Sequence, residues 1–200
     1  VLAILRLRDH GLAVEVGEAL LRGGVEAVEL TQDDPGAAAA LRLMRERLPA
    51  ELAVGAGTVL DAETVARVAD AGASFCVSPN VDEAVIVAAH AAGLAMVPGA
   101  ATATELARAL AAGVETVKLF PAGPLGIEYM RALRGPFEDA ALLPTGGIAP
   151  AAAGEWIAAG AVGVGIGGSL VSSRPSEADL ERIVARAAEA VAAVAEVRGG

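Results

Sequence analysis

One pattern recurs along this chain of 200 residues: an alanine-rich stretch ends at a glycine, and a short run of apolar residues follows. The repeats read RGGVEAVEL, DAGASFCVS, AAGLAMVPG, AAGVETVKLF and AAGAVGVGIGG. The glycines Gly72, Gly93 and Gly113 lie 21 and 20 residues apart, and the intervals Gly24 to Gly72 and Gly113 to Gly160, 48 and 47 residues, are about twice that period. A glycine that ends a helix, followed by a continuous apolar strand, is typical of a helix–strand unit of an α/β protein.

Counting these units predicts eight strands. They are Val1–Arg6, Val25–Leu30, Leu52–Gly55, Ser74–Val77, Ala95–Val97, Thr116–Leu119, Ala141–Pro144 and Val162–Ile166. The segments between them are amphipathic, as in Asp61–Ala71, where Asp61 is the expected N-cap, and in the terminal Glu177–Val197. Strands that are apolar throughout indicate a parallel sheet covered on both faces. Eight units in 200 residues favour an α/β fold of the (β/α)8 TIM barrel type, a single domain of residues 1–200, with an open doubly wound sheet as the alternative.

The composition limits the possible partners. A net charge of −10 opposes binding to nucleic acid or to an anionic membrane, because their phosphates would be repelled, and no stretch is apolar enough for a membrane span. Cys76 is the only cysteine, so we expect a buried, unreactive thiol and a cytoplasmic protein. His10 and His90 stand alone in stretches predicted to be helical, and no cluster of metal ligands is apparent, so we expect no metal and no other cofactor.

Polar and glycine-rich segments follow seven of the predicted strands. They read ELTQDD, GAGT, SPN, PGAAT, KLFPAG, PTGG and GIGGS. In a parallel barrel the C-terminal ends of all strands open at one mouth, where active sites are built. The two glycine-rich turns after the seventh and eighth strands expose backbone N–H groups and predict a phosphate site.

Lys118 is the only lysine, whereas the other 14 cationic residues are arginine. It lies within an apolar strand, where burial disfavours the charged amine and lowers the lysine pKa. A neutral amine attacks ketones to form a Schiff base, which a permanently charged guanidinium cannot do. Glu29 ends the second predicted strand and is the candidate general acid and base, with a plain salt bridge as the alternative.

The ordered set ELT, GAGTVL, SPN, VPGAAT, KLFPA, PTGGI and GIGGSLV resembles the class I 2-keto-3-deoxy-6-phosphogluconate (KDPG) aldolase family, which includes 4-hydroxy-2-oxoglutarate (KHG) aldolase activity and a phosphogalactonate branch. The resemblance covers nearly the whole chain. It implies a homotrimeric (β/α)8 barrel that reversibly cleaves a phosphorylated 2-keto-3-deoxy sugar acid to pyruvate and glyceraldehyde 3-phosphate, without a metal.

The resemblance also implies roles for individual residues. Lys118 matches the Schiff-base lysine and Glu29 the general acid and base. The expected substrate-binding residues are Arg6, Thr58, Pro79, Phe120, Thr145, Gly146, Gly147, Gly168 and Ser169, of which Gly146, Gly147, Gly168 and Ser169 match the phosphate loops.

One segment departs from the family pattern. Family members often read E-V-T-L-R-T, with an arginine that clamps the pyruvate carboxylate, but this chain reads E-L-T-Q-D-D and has Asp33 at that position. A carboxylate there would repel the substrate, so either the loop is displaced or another cation serves. Arg6, at the end of the first predicted strand, is the candidate clamp; alternatively, Arg6 only pairs with an acidic loop residue such as Asp33.

Two other functions are compatible with the same barrel. One is a non-covalent phosphosugar isomerase or synthase with Lys118 as an electrostatic group, and the other is an inactive barrel that binds a phosphorylated ligand. The presence of Lys118 in its motif together with Glu29 favours the aldolase. The pattern does not distinguish a gluconate from a galactonate or a hydroxy-oxoglutarate substrate.

Overall fold

The computed structural model describes residues 1–199, and in this part of the chain parallel strands alternate with α-helices. The strands are β1 (Leu2–Leu5), β2 (Ala27–Thr31), β3 (Ala53–Gly57), β4 (Phe75–Val77), β5 (Ala95–Val97), β6 (Gly99–Ala100), β7 (Thr116–Leu119), β8 (Ala141–Pro144) and β9 (Gly165–Ile166). The helices are α1 (Ala13–Arg22), α2 (Ala37–Arg47), α3 (Ala62–Asp70), α4 (Glu83–Ala91), α5 (Ala103–Ala111), α6 (Ala122–Leu125), α7 (Ile127–Arg134), α8 (Ala153–Ala158) and α9 (Leu180–Arg198). The predicted domain of residues 1–200 also includes Gly200, which lies outside the described residues.

The strands close into a barrel. Strands β5-β4-β3-β2-β1-β9 form one parallel sheet and β6-β7-β8 a second one. On one side only Pro98 separates β5 from β6, and its carbonyl accepts the Lys118 N–H at 2.9 Å, so these two short strands together fill the place of one predicted strand. On the other side a parallel bridge between Thr145 and Gly165 joins β8 to β9. The predicted (β/α)8 fold class is confirmed, and the alternative open sheet is wrong.

Two sequence predictions differ from the structure in detail. The eighth predicted strand, Val162–Ile166, is reduced to Gly165–Ile166, because the two glycines at 163 and 165 weaken a strand and Val162 is exposed. His10 is not helical: it lies in the loop before α1, where the Gly11 N–H donates to Asp9 Oδ1 at 2.9 Å in a local turn.

The helix boundaries follow the predicted signals. Asp61 caps α3, since its carboxylate accepts the Thr64 N–H at 2.6 Å. All five glycines of the repeat have φ between 72° and 98°, the left-handed region that ends helices and that glycine adopts without strain. The predicted terminal helix is preceded by a 3-10 turn at Glu177–Asp179.

Within residues 1–199, no helix combines the length and the apolar character needed to cross a membrane.

Cys76 lies in β4, in the core between the barrel and its helices, and its side chain has no exposed surface. Burial raises the pKa of its thiol to about 12. The thiol is therefore protonated at neutral pH and is a poor nucleophile, in line with the unreactive thiol expected from the sequence.

Candidate active site

A cavity of about 550 Å³ lies at the C-terminal ends of the strands, and it brings together the predicted site residues. All eleven line it: Arg6, Glu29, Thr58, Pro79, Lys118, Phe120, Thr145, Gly146, Gly147, Gly168 and Ser169. The cavity is also lined by Ile4, Ile148, Ala149 and Gly167, which sequence reasoning missed. Gly167 and Ile148 lie within the motifs GIGGS and PTGGI but were not singled out, whereas Ile4 and Ala149 carry no reactive side chain and no signal distinguished them from residues of the core.

Lys118 and Glu29 form a buried pair in this cavity. Each is the third residue of its strand, Glu29 in β2 and Lys118 in β7, and the barrel brings the two strands to face one another. Lys118 Nζ lies 3.6 Å from Glu29 Oε1, and the two side chains are only 8% and 1% exposed. The geometry places an amine and a carboxyl group within reach of one small ligand.

Space for the Glu29 carboxyl group is provided by Gly57, the last residue of the neighbouring strand β3. A Cβ atom at position 57 would lie 2.6 Å from Glu29 Oε1, so any larger residue would push the carboxyl group away. Glu29 Oε2 is buried and accepts no hydrogen bond from the described residues. An unsatisfied buried oxygen beside a cavity is an unfavourable arrangement that a ligand or water can relieve.

The same burial acts in opposite directions on the two pKa values. It raises the pKa of Glu29, and the nearby charges of Lys118 and Arg6 only partly oppose it. It lowers the pKa of Lys118, an effect that the charge of Glu29 partly offsets. The pair is therefore shifted toward its neutral forms, an amine that can attack a carbonyl and an acid that can donate a proton.

The aromatic ring of Phe120 forms a wall beside the amine. Its centroid lies 5.3 Å from Lys118 Nζ. Gly146 leaves room for this ring, because a Cβ atom at position 146 would lie 3.0 Å from Phe120 Cε2. The ring thus excludes water from one side of the amine and contributes to its desolvation.

A second, more exposed pair lies at the rim of the cavity. Arg6 Nη1 donates to Asp33 Oδ1 and Oδ2 at 2.6 and 2.7 Å, and Arg6 Nη2 donates to Thr58 Oγ1 at 3.1 Å. The Thr31 hydroxyl donates to Asp33 Oδ2 at 2.7 Å. Asp33 does not line the cavity, whereas Arg6 does, so the pairing expected as the alternative for Arg6 coexists with its position at the site.

Thr58 follows β3 directly and has a φ of 57°, in the left-handed region. A β-branched residue rarely adopts this conformation, which costs about 1–3 kcal/mol and is found mostly at functional sites. The conformation accompanies a hydroxyl group that faces both the cavity and the guanidinium of Arg6.

The two glycine-rich turns, which follow β8 and β9, form another part of the cavity wall. The Ser169 hydroxyl donates to the Ile148 carbonyl at 2.7 Å and ties the turns together. Within residues 1–199 the backbone N–H groups of Gly146, Gly147, Gly168 and Ser169 make no hydrogen bond. After β9 the chain makes one turn, closed by bonds from the Leu170 and Val171 N–H groups to the Gly167 carbonyl. Unpaired N–H groups that surround a cavity are suited to an anion.

Among the described residues, no group of three or more His, Cys, Asp or Glu side chains is arranged to hold a metal ion. His10 instead lies beside Asp34, with His10 Nε2 at 2.9 Å from Asp34 Oδ2, and the second predicted isolated histidine, His90, is exposed on α4.

Comparison with known proteins identifies the family. The family model for KDPG and KHG aldolase matches residues 1–186. The KHG/KDPG aldolase of Escherichia coli K12 is 39% identical over 191 residues, which are 94% of this chain and 88% of the relative. The 2-dehydro-3-deoxy-6-phosphogalactonate aldolase of the same organism is 36% identical over 198 residues, 98% of this chain and 94% of the relative.

Solved structures agree with this assignment. A native KDPGal structure superposes with a TM-score of 0.93 at 34% identity, covering 100% of this chain and 96% of the other. The KDPG aldolase of Legionella pneumophila, with pyruvate captured as a covalent carbinolamine intermediate, has a TM-score of 0.79 at 28% identity and covers 96% of this chain and 92% of the other. The chain therefore belongs to the KDPG and KHG aldolase family, and it is a carbon–carbon lyase.

Proposed function

We propose that Lys118 forms a Schiff base with the keto group of a 2-keto-3-deoxy sugar acid 6-phosphate, and that Glu29 moves protons during cleavage of this substrate to pyruvate and glyceraldehyde 3-phosphate. The observation that carries the proposal is the buried 3.6 Å contact between Lys118 Nζ and Glu29 Oε1 inside the cavity. Burial lowers the Lys118 pKa, and this keeps a fraction of the amine neutral at a pH where a free lysine is almost fully charged.

The reaction follows from these two groups. The Lys118 amine attacks the keto carbon, and loss of water, assisted by the proton of the Glu29 acid, gives a protonated imine that accepts electrons and leaves Glu29 as a carboxylate. The bond between the third and fourth carbons then breaks: its electron pair moves toward the imine, and the proton of the C4 hydroxyl goes to the Glu29 carboxylate. The resulting enamine takes a proton at the third carbon, and water releases pyruvate and restores the amine. Glu29 is close enough to Nζ to transfer these protons directly or through one water.

The two ends of the substrate carry negative charges, and we assign them to different parts of the cavity wall. The phosphate lies against the free N–H groups of Gly146, Gly147, Gly168 and Ser169, and the carboxylate lies at the rim near Arg6 and Thr58. A related structure from Zymomonas mobilis, a KDPG aldolase with 3-phosphoglycerate, supports a phosphorylated three-carbon ligand in this fold, at 32% identity and a TM-score of 0.85.

The proposal extends to the type of sugar acid and to the assembly of the protein. The similarity to both the KHG/KDPG and the phosphogalactonate enzymes, at 39% and 36% identity, supports a sugar acid of this type without selecting one. We propose a single domain that assembles as a homotrimer in the cytoplasm, with no nucleic acid or membrane partner. Support for assembly comes from a designed protein cage, made by fusing symmetric oligomeric domains, whose chain superposes with a TM-score of 0.92.

Trapping with borohydride tests the proposal. Pyruvate and sodium borohydride should add one reduced pyruvate per chain, measured by intact mass and located at Lys118 by peptide mapping. The site of an adduct can be assigned without ambiguity, because Lys118 is the only lysine of this sequence and the other primary amine is at its N terminus.

The matched control is Lys118→Arg, which keeps the positive charge and removes the nucleophile. It should carry no adduct. Absence of an adduct from the unsubstituted protein, or an adduct confined to the N-terminal amine, would contradict the Schiff-base proposal and favour a non-covalent isomerase or synthase.

A further inference from the structure

The pair formed by Arg6 and Asp33 has a role that the reaction itself does not require. We propose that Asp33 is a specificity-determining residue: its carboxylate occupies the guanidinium of Arg6 in the place of a ligand carboxylate, and a 2-keto acid binds at the rim by displacing it. The inference rests on the proposed function, since it concerns the carboxylate of the same substrate.

The contacts of Arg6 show why displacement is needed. A carboxylate is held most firmly by two parallel N–H groups of a guanidinium. Here one terminal nitrogen, Nη1, already donates to both oxygens of Asp33, and the other, Nη2, donates to Thr58. Both terminal nitrogens are therefore already bonded to oxygens of the chain, and a ligand carboxylate gains the edge that contains them only by displacing Asp33.

Asp33 is also held in place to make this contact. The Thr31 hydroxyl donates to Asp33 Oδ2 at 2.7 Å, and Thr31 is a buried residue at the end of β2, two positions after Glu29. A carboxylate fixed beside Arg6 competes at a high effective concentration, as any tethered ligand does. Free pyruvate therefore binds more weakly than Arg6 and Thr58 alone would allow.

The displaced carboxylate has other cations to face. Outside the rim lies a second cavity of about 590 Å³, lined by Arg6, Leu7, Arg8, Asp33, Asp34 and Arg174. Within residues 1–199 the side chains of Arg8 and Arg174 make no hydrogen bond and pair with no carboxylate, and both are exposed. When Arg6 turns to a ligand, these two guanidinium groups limit the cost of leaving the charge of Asp33 without its partner.

This arrangement predicts which carbonyl compounds the site tolerates. A 2-keto acid competes with Asp33 for Arg6, but a ketone without a carboxylate does not. Asp33 thus reduces the preference for pyruvate over uncharged carbonyl donors such as hydroxyacetone. Replacing Asp33 by a neutral residue should increase that preference.

Borohydride trapping at Lys118, followed as a function of ligand concentration, measures both preferences. In Asp33→Asn the half-saturating pyruvate concentration should fall about fivefold, which corresponds to the upper range for an exposed ion pair. The half-saturating concentration of hydroxyacetone should stay unchanged. Thr31→Val, which removes the hydroxyl that holds Asp33, should shift the pyruvate value in the same direction by less.

Two controls isolate the contact with Arg6. Asp34→Asn removes a neighbouring carboxylate that pairs with His10 rather than with Arg6, and it should leave the pyruvate value unchanged. In an Arg6→Gln background, Asp33→Asn should no longer improve pyruvate binding. A pyruvate value that rises or stays constant in Asp33→Asn, or that falls equally in Asp34→Asn, would overturn the proposal.

Failure of the proposed function would look different. In that case pyruvate and borohydride would leave no adduct at Lys118 in the unsubstituted protein or in Asp33→Asn. A ligand-observed NMR titration of pyruvate still measures its non-covalent dissociation constant, which should be lower for Asp33→Asn than for the unsubstituted protein. Equal dissociation constants would overturn the role of Asp33 independently of the Schiff base.

Discussion

Two pairs of opposite charge belong to the same site but lie in different surroundings. Lys118 and Glu29 lie 3.6 Å apart inside the barrel, with side chains that are 8% and 1% exposed. Arg6 and Asp33 lie 2.6 Å apart at the rim, with side chains that are 61% and 31% exposed. Water therefore reaches both side chains of the rim pair, but it hardly reaches the buried pair.

The comparison teaches that burial, rather than the distance between charges, decides what each pair can do. In the interior, desolvation shifts both groups toward their neutral forms, which are the forms that nucleophilic attack and proton donation require. At the rim, where water reaches both side chains, the pair can exchange partners at little cost. We therefore expect substitutions of the buried pair to affect the chemical steps and substitutions of the rim pair to affect binding.

The largest effect is expected at Lys118. Lys118→Arg should abolish cleavage of the phosphorylated substrate, because a guanidinium remains protonated and forms no imine. Aldehyde release coupled to a dehydrogenase measures the rate, and circular dichroism confirms that the barrel is folded. Turnover comparable to that of the unsubstituted protein would show that the buried pair is not the reaction centre.

Glu29 should produce the next largest effect. Glu29→Gln removes the proton acceptor and should lower kcat by about a hundredfold or more, the usual scale for losing a general acid or base. Glu128→Gln is the matched control, since Glu128 pairs with Arg131 on the surface and should leave kcat unchanged. Equal rates for Glu29→Gln and the unsubstituted protein would reassign Glu29 to a structural salt bridge.

The position of Lys118 and Glu29 in one cavity was predictable from the sequence because the signals are local. A lone lysine in an apolar strand and a glutamate at a strand end keep their meaning in any closed parallel barrel. The orientation of Asp33 was only an alternative, because it depends on the Thr31 hydroxyl and on the path of a loop. Neither the room that Gly57 leaves for Glu29 nor the strand break at Pro98 was predicted, since both depend on contacts between neighbouring strands.

The rim pair should have a moderate effect on binding. Arg6→Ala should raise the KM for pyruvate in the condensation direction by about tenfold, equivalent to about 1.4 kcal/mol, while kcat changes little. Arg131→Ala is the matched control, because it removes an arginine from an exposed pair that does not line the cavity. An unchanged KM for pyruvate in Arg6→Ala would place the substrate carboxylate elsewhere.

The smallest effect concerns the pH dependence of trapping. The negative charge of Glu29 stabilises the ammonium form of Lys118, so it raises a pKa that burial lowers. Removing this charge in Glu29→Gln should lower the Lys118 pKa further, and the acidic limb of the pyruvate trapping rate should move to lower pH. Movement of that limb to higher pH would mean that the two groups are not coupled through their charges.

The pyruvate dependence of borohydride trapping tests the division between the two pairs most directly. The initial trapping rate is measured over a range of pyruvate concentrations for the unsubstituted protein, Glu29→Gln and Arg6→Ala. We predict that Glu29→Gln lowers the maximal rate with a similar half-saturating concentration, and that Arg6→Ala raises the half-saturating concentration with a similar maximal rate. The reverse result, with Arg6→Ala limiting the maximal rate and Glu29→Gln only weakening binding, would contradict the assignment of chemistry to the buried pair and of binding to the rim.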